Sequence, residues 1–154
     1  MWGGMTRRSN SRSSVISLLG KFTAPRRVLI CYPENMVIDL RQEQDLEQLF
    51  DSSRTNPVLI FKHSTQCPIS AHVYKDFMDF AGSAGELTIA VVLVIENRSL
   101  SKTIAERLSV RHESPQAILV KDGRAVWHAS HWSITADSLG EALRSNGEPA
   151  HQRD

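Results

Sequence analysis

Val58-Leu59-Ile60-Phe61-Lys62-His63-Ser64-Thr65-Gln66-Cys67-Pro68-Ile69-Ser70 is the stretch on which the reading of the whole chain turns. Its first four residues form an unbroken apolar run with the length and composition of a strand covered on both faces. The polar segment from Lys62 to Gln66 then predicts a turn. Beyond Cys67 the period changes to that of a helix, with Ile69, Val73, Phe77 and Phe80 on one face and Ala81-Gly82 at the end. Pro68 falls at the first helical position, where its missing N–H costs nothing. Cys67 is thereby placed where a strand hands over to a helix.

Working outward from this junction, the upstream segment Gln42 to Ser52 repeats Leu46, Leu49 and Phe50 at helical spacing, and Asn56-Pro57 ends it. A helix is therefore expected to open the domain. Downstream, Leu87 to Ile95 is rich in Val and Ile and predicts the central strand, ended by Asn97 to Ser99. A helix with Ile104, Ala105 and Leu108 follows, for which Thr103 and Glu106 would form a capping box. Ala117 to Val120, the turn signal Asp122-Gly123 and a strand from Ala125 to Trp132 predict a hairpin. A last helix begins near Thr135-Ala136-Asp137, with Leu139, Ala142 and Leu143 on one face, and the chain turns polar from Ser145 onward.

Helix, strand, helix, strand, helix, then a hairpin and a closing helix is the order of the thioredoxin layout: an α/β fold with a four-stranded mixed sheet flanked by helices. Topology alone does not give chemistry. The cysteine does, because the free N–H groups and positive dipole end of a helix N-terminus stabilise a thiolate, so Cys67 is expected to be a nucleophile of depressed pKa. Ser114-Pro115, just before a strand, is the candidate for a cis peptide bond that would turn the backbone toward the cysteine and leave peptide groups free to pair with a thiol substrate. Together they predict thiol–disulfide exchange through a mixed disulfide. Ser70 stands where a dithiol enzyme would carry its second cysteine, giving Cys-x-x-Ser. With no internal resolving thiol, the mixed disulfide must be resolved by another thiol, which favours moving a low-molecular-weight thiol over oxidising proteins outright. Ser70 itself either donates to the thiolate or satisfies backbone groups as a first-turn residue.

The 154 residues are 41% apolar and 23% charged, the composition of one globular domain, and collagen-like, disulfide-dense and multidomain classes are excluded. A net charge of +1 gives no sign of a nucleic-acid partner. It hides an asymmetry: residues 1–33 hold six basic residues and no acidic one, whereas residues 36–154 hold twelve basic against sixteen acidic. Residues 1–35 are accordingly expected to be a basic, disordered extension, residues 36–147 the folded domain and residues 148–154 a polar tail. Val15 to Leu19 is too short for the core of a secretory signal, and no apolar run approaches the roughly 20 residues of a membrane span. Two cysteines, Cys31 and Cys67, are too few for a disulfide scaffold and point to a reducing cytoplasm.

From about Met36 to Ser145 the chain resembles the YtxJ-like monothiol bacilliredoxins, thioredoxin-fold proteins of bacteria that make bacillithiol. The resemblance is carried by His63-Ser64-Thr65-Gln66-Cys67-Pro68-Ile69-Ser70, by Arg111-His112-Glu113-Ser114-Pro115-Gln116, and by Lys121-Asp122-Gly123 with Trp127-His128-Ala129-Ser130-His131-Trp132. It implies that Cys67 takes bacillithiol from S-bacillithiolated client proteins and is then reduced by free bacillithiol as co-substrate, with a flavin reductase renewing the pool. It also implies a cytoplasmic location and no bound cofactor, and the protein is expected to be a monomer. Ser64, Thr65, Gln66, Pro68, Ile69 and Ser70 would form the active-site loop, and Ser114 and Pro115 the substrate-orienting loop. The basic extension and Cys31 depart from the family pattern.

Competing readings rest on fewer residues. A non-catalytic binding module would use the fold and the proline loop and leave the thiol idle. Iron–sulfur carriage by a dimer sharing Cys67 is opposed by Pro68 directly after the cysteine. A peroxide-reducing site would want threonine where Ser64 stands. His128 and His131 would point to opposite faces of a strand, which is poor geometry for one metal ion, and the same parity separates Trp127 from Trp132. His63 and His112 flank the two active loops and are read as surface histidines rather than partners of the thiolate.

Overall fold

The computed structural model describes residues 30–32, 35–85 and 87–146. Six strands form one mixed sheet in the order β1-β2-β4-β3-β5-β6. These are β1 (Ile30–Tyr32), β2 (Asn35–Asp39), β3 (Val58–His63), β4 (Thr88–Leu93), β5 (Gln116–Lys121) and β6 (Arg124–Ser130). The helices are α1 (Glu43–Ser52), α2 (Pro68–Ser83), α3 (Arg98–Arg107) and α4 (Ala136–Asn146), with a 3-10 turn at His131–Ser133. β2, β4 and β3 run parallel, while β3–β5, β5–β6 and β1–β2 are antiparallel.

The expected four strands are all present, and two more precede the first helix. β2 docks parallel to β4, and β1 folds back on β2. The sheet thus begins upstream of Met36, where the domain was expected to start, and α1 is its third element. Met-Val-Ile-Asp is too short and too unevenly apolar to announce a strand, and the pairing partner that makes it one, β4, lies some fifty residues away. Residues 1–29 and 147–154, which hold most of the expected extension and the polar tail, lie outside the described residues.

Strand parity builds two cores, one on each face of the sheet. Leu59, Phe61, Ile89, Val91, Ala117 and Leu119 face α2 and α4, where they meet Val73, Phe77, Ala81, Leu139 and Ala142. Val58, Ile60, Ala90, Val92, Ile118 and Val120 face α1 and α3, where they meet Leu46, Leu49, Phe50, Leu100 and Ile104. β3 and β5 are buried on both sides, as their continuous apolar runs require.

Several local expectations are corrected. Ile69, Val73, Phe77 and Phe80 pack on the same core as expected, Ile69 and Phe80 half-buried at its margin, and the buried stripe of α2 also takes in Ser70, Met78 and Ala81. β3 continues through Lys62 and His63, residues expected to open the turn. Asn97 precedes α3, so Thr103 lies inside the helix and forms no capping box with Glu106. β6 stops at Ser130, and Trp132 belongs to the 3-10 turn, 61% exposed, so strand parity does not govern it or His131. The Asp122-Gly123 hairpin is as expected: φ is +53° and +70°, the mirror-image turn that matches strand twist. Thr135 starts α4 through reciprocal bonds, the Ser138 amide donating to Thr135 Oγ1 and the Thr135 amide to Ser138 Oγ.

Candidate active site

Cys67 is the residue that leads into α2. Its backbone is extended (φ −107°, ψ 116°), its carbonyl accepts the first helical bond from the Ala71 amide at 3.1 Å, and Pro68 occupies the first turn. The amides of Ile69 and Ser70 fall in that turn, where no intrahelical acceptor exists, and Cys67, half-buried, stands at this end of the helix without a side-chain capping bond to them. The preceding turn is closed by the Cys67 amide on the Ser64 carbonyl at 3.4 Å.

Ser70 explains why this turn holds its shape. Its side chain is fully buried, and its Oγ accepts the Ser64 amide at 2.9 Å while lying 2.9 Å from His63 Nδ1. The hydroxyl thus engages both the Ser64 amide and the His63 ring, the direction of the second bond following the imidazole tautomer. Of the two roles open to Ser70, the structure supports the backbone one: the side chain ties the end of β3 to the first turn of α2. His63 stacks on Tyr74 at 4.6 Å between ring centroids, and burial holds its pKa below the usual value against the opposing charge of Glu96. On the outer side the Thr65 hydroxyl donates to Glu96 Oε1 at 2.9 Å. Gln66 and Pro68 are exposed.

The second loop arrives through β5. Lys62 of β3 is in antiparallel register with Gln116, and one step further along the same register sets Pro115 opposite His63. The Ser114-Pro115 bond is cis, Pro115 is buried, and its carbonyl accepts the His131 amide at 3.0 Å. Ser64 to Ser70 and Ser114-Pro115 are thus brought together at one end of the central strands. Cys31 is not: β1 is three strand positions from β3, about 14 Å away, well beyond the Cα separation a disulfide spans. Its side chain lies outside the described residues.

One residue of this region was not anticipated. Lys62, expected in a polar turn, is fully buried on the α1 and α3 side of β3. Its ammonium donates to His112 Nδ1 at 2.7 Å. The alternation of Val58, Ile60 and Lys62 along one face was the available signal. Among the described residues no group of three or more His, Cys, Asp or Glu side chains is placed to hold a metal ion, and no helix is long and apolar enough to cross a membrane.

A cysteine at a strand-to-helix junction beside a cis-proline loop, on this sheet topology, defines a thioredoxin-fold thiol–disulfide oxidoreductase. A solved structure described as a candidate oxidoreductase with a thioredoxin fold is 35% identical, covering 69% of this chain and 92% of its own, with a TM-score of 0.64. The thioredoxin of Fasciola hepatica (21% identical, 70% and 96% covered, TM-score 0.57) and thioredoxin NaTrxh of Nicotiana alata (16%, 75% and 96%, TM-score 0.60) share the fold. Residues 38–139 match the family described as monothiol bacilliredoxin BrxC, and the chain belongs to that family.

Proposed function

We propose that Cys67 removes bacillithiol from S-bacillithiolated proteins. The Cys67 thiolate attacks the bacillithiol sulfur of the client's mixed disulfide, that S–S bond breaks, and the client leaves as a reduced thiolate while Cys67 carries the bacillithiol. A free bacillithiol thiolate then attacks the carried sulfur, releasing bacillithiol disulfide and returning Cys67 to its thiolate. Each cycle consumes one free bacillithiol thiolate and exchanges the client's mixed disulfide for one bacillithiol disulfide, the second half of which is the bacillithiol taken from the client. No bound cofactor enters, one copy of the chain suffices, and the reaction suits a reducing cytoplasm.

The observation that carries this reading is Ser70. A dithiol enzyme ejects its client by attack from the residue at this position, whereas here that residue is a buried hydroxyl engaged by His63 and Ser64. The carried thiol must therefore wait for an external one, which is the chemistry of a small-thiol acceptor. Ser64 to Ser70 form the loop that presents the sulfur, and Ser114-Pro115 the loop against which the disulfide is aligned.

The test is intact mass after mixing reduced protein with bacillithiol disulfide and with an S-bacillithiolated test protein, for wild type, Cys67→Ala and Cys31→Ala. One adduct that transfers from the test protein, is removed by free bacillithiol, and is lost only in Cys67→Ala is expected. Absence of transfer in the wild type would overturn the reading.

A further inference from the structure

We infer that Lys62 is a positioning residue for the exchange at Cys67, acting through His112 to hold the proline loop against the strand that carries the cysteine. The inference rests on the exchange reaction proposed above and adds a residue and a pH dependence to it.

The geometry is specific. Lys62 is the penultimate residue of β3, five residues before Cys67, and its side chain is wholly buried. A buried ammonium must find acceptors, and this one reaches across to His112 Nδ1 at 2.7 Å. His112 belongs to the segment Arg111 to Ser114, which lies between α3 and β5 and ends in the cis bond to Pro115. A second tether acts beside it: the Gln116 side chain, also buried and in register with Lys62, donates from Nε2 to the Arg111 carbonyl at 2.9 Å. Further along the loop, Glu113 is hydrogen-bonded to Ser130 and the Pro115 carbonyl accepts the His131 amide at 3.0 Å. Ser101 Oγ of α3 lies 3.5 Å from the same His112 nitrogen, and Ser114 Oγ and Gln116 Oε1 are buried without a partner. β3 and β5 are already paired at Lys62 and Gln116, and the Lys62–His112 bond adds a side-chain tie from β3, the strand that leads into the Cys67 turn, to the segment ahead of Pro115.

The same bond makes the loop sensitive to pH. It requires a neutral imidazole offering Nδ1 as acceptor and a charged Lys62 as donor. Protonation of His112 turns Nδ1 into a donor facing an ammonium, and the contact becomes repulsive. The groups facing His112 are Lys62 from β3, Arg98 from α3 and Glu113 next to it in the loop; burial and the two cations hold its pKa below the usual value and Glu113 opposes them. Burial likewise lowers the Lys62 amine, to about 8, with Glu113 opposing. The tether is therefore strongest between the two titrations and weakens on either side.

The experiment uses the full chain and reads steady-state exchange with an S-bacillithiolated peptide from pH 5 to 9.5. Cys67 ionisation is followed separately by thiolate absorbance, so that rates are expressed per thiolate. Wild type is expected to show its lowest KM between the two titrations. Lys62→Met is expected to raise KM about tenfold, the loss of one charge-assisted hydrogen bond, with kcat per thiolate little changed. His112→Asn, which offers an acceptor that does not titrate, is expected to keep the low KM and to abolish the rise at acid pH. An activity-independent arm follows the His112 ring by NMR, where its pKa should rise in Lys62→Met. An unmoved His112 pKa with unmoved KM in Lys62→Met, or an intact acid rise in His112→Asn, overturns the inference. Failure of the wild type to exchange at all would instead strike the proposed function, and the NMR arm would still report on the pair.

Discussion

Replacing Ser70 by alanine tests whether the hydroxyl is a clamp for the cysteine loop or a partner of the sulfur. The wild-type Oγ has two bonds of 2.9 Å, one from the Ser64 amide and one with His63 Nδ1. A neutral hydrogen bond contributes a net of about 0.5–1.5 kcal/mol, and orphaning a buried partner costs about 1–3 kcal/mol. Ser64 and His63 are half-buried, so the lower part of these ranges applies to each, and the summed loss is about 2 kcal/mol. With a urea slope of about 1–3 kcal/mol per molar for a domain of this size, the unfolding midpoint should fall by about 1 M. The local signature is sharper. The Ser64 amide, deprived of its acceptor, should exchange with solvent at least about tenfold faster. Alkylation of Cys67 by iodoacetamide should change by less than about threefold, because the hydroxyl's bonds go to His63 and Ser64. An unchanged midpoint with unchanged Ser64 exchange would refute the clamp, and a collapse of Cys67 alkylation in a stable Ser70→Ala protein would show that the hydroxyl serves the thiolate instead.

Other outcomes follow from single features. Lys62→Met removes a buried charge and should leave the protein as stable at pH 7 as the wild type, or up to about 2 kcal/mol more stable. Below pH 8 both folded and unfolded chains hold the Lys62 proton, so the burial penalty is complete; between about 8 and 10.5 the unfolded chain keeps a proton the native chain sheds, and wild-type stability should rise by up to about 3 kcal/mol. Urea midpoints from pH 7.5 to 10 should show this rise in wild type and lose it in Lys62→Met. His63 has the same sign in a lower window: its folded pKa lies below 6.5, so below that pH the unfolded chain takes up a proton first and stability falls as pH drops, a loss that His63→Gln should reduce in acid-titration midpoints. Gly123→Ala places a Cβ at φ +70° and should cost about 1 kcal/mol, seen as a lowered Tm with the site unaffected.

These effects concentrate at positions where a local rule and a tertiary partner disagree, and the same division separates what the sequence disclosed from what it concealed. The junction Val58 to Ser70, the hairpin at Asp122-Gly123 and the three buried residues of α1 were legible because each depends on neighbours within one turn or one strand. β1 and β2 were not, because their partners are distant in sequence and their own patterns are short. The placement of Cys67 was legible as a position in a known layout; Ser114-Pro115 was legible only as a candidate for a cis bond, because the isomer is set by tertiary surroundings that a sequence does not display. The function of Ser70 was not, since a serine after Cys-Pro-x fits a thiolate donor and a backbone clamp equally well until His63 and Ser64 are seen around it.

Lys62 shows the limit most clearly. As a lysine after an apolar run it carries the strongest available signal for the end of a strand, and local reasoning places it in water. Strand parity says the opposite, because Val58, Ile60 and Lys62 share a face and that face is core. The conflict is resolved by an acceptor fifty residues away, His112, which stands on an exposed stretch of loop and turns its Nδ1 to the buried ammonium. Burying an ammonium is unfavourable for stability, and a methionine of similar reach would fill the space with less penalty. A residue that burdens the fold in this way and ties the cysteine-bearing strand to the proline loop is accounted for by the loop it positions rather than by the core it occupies.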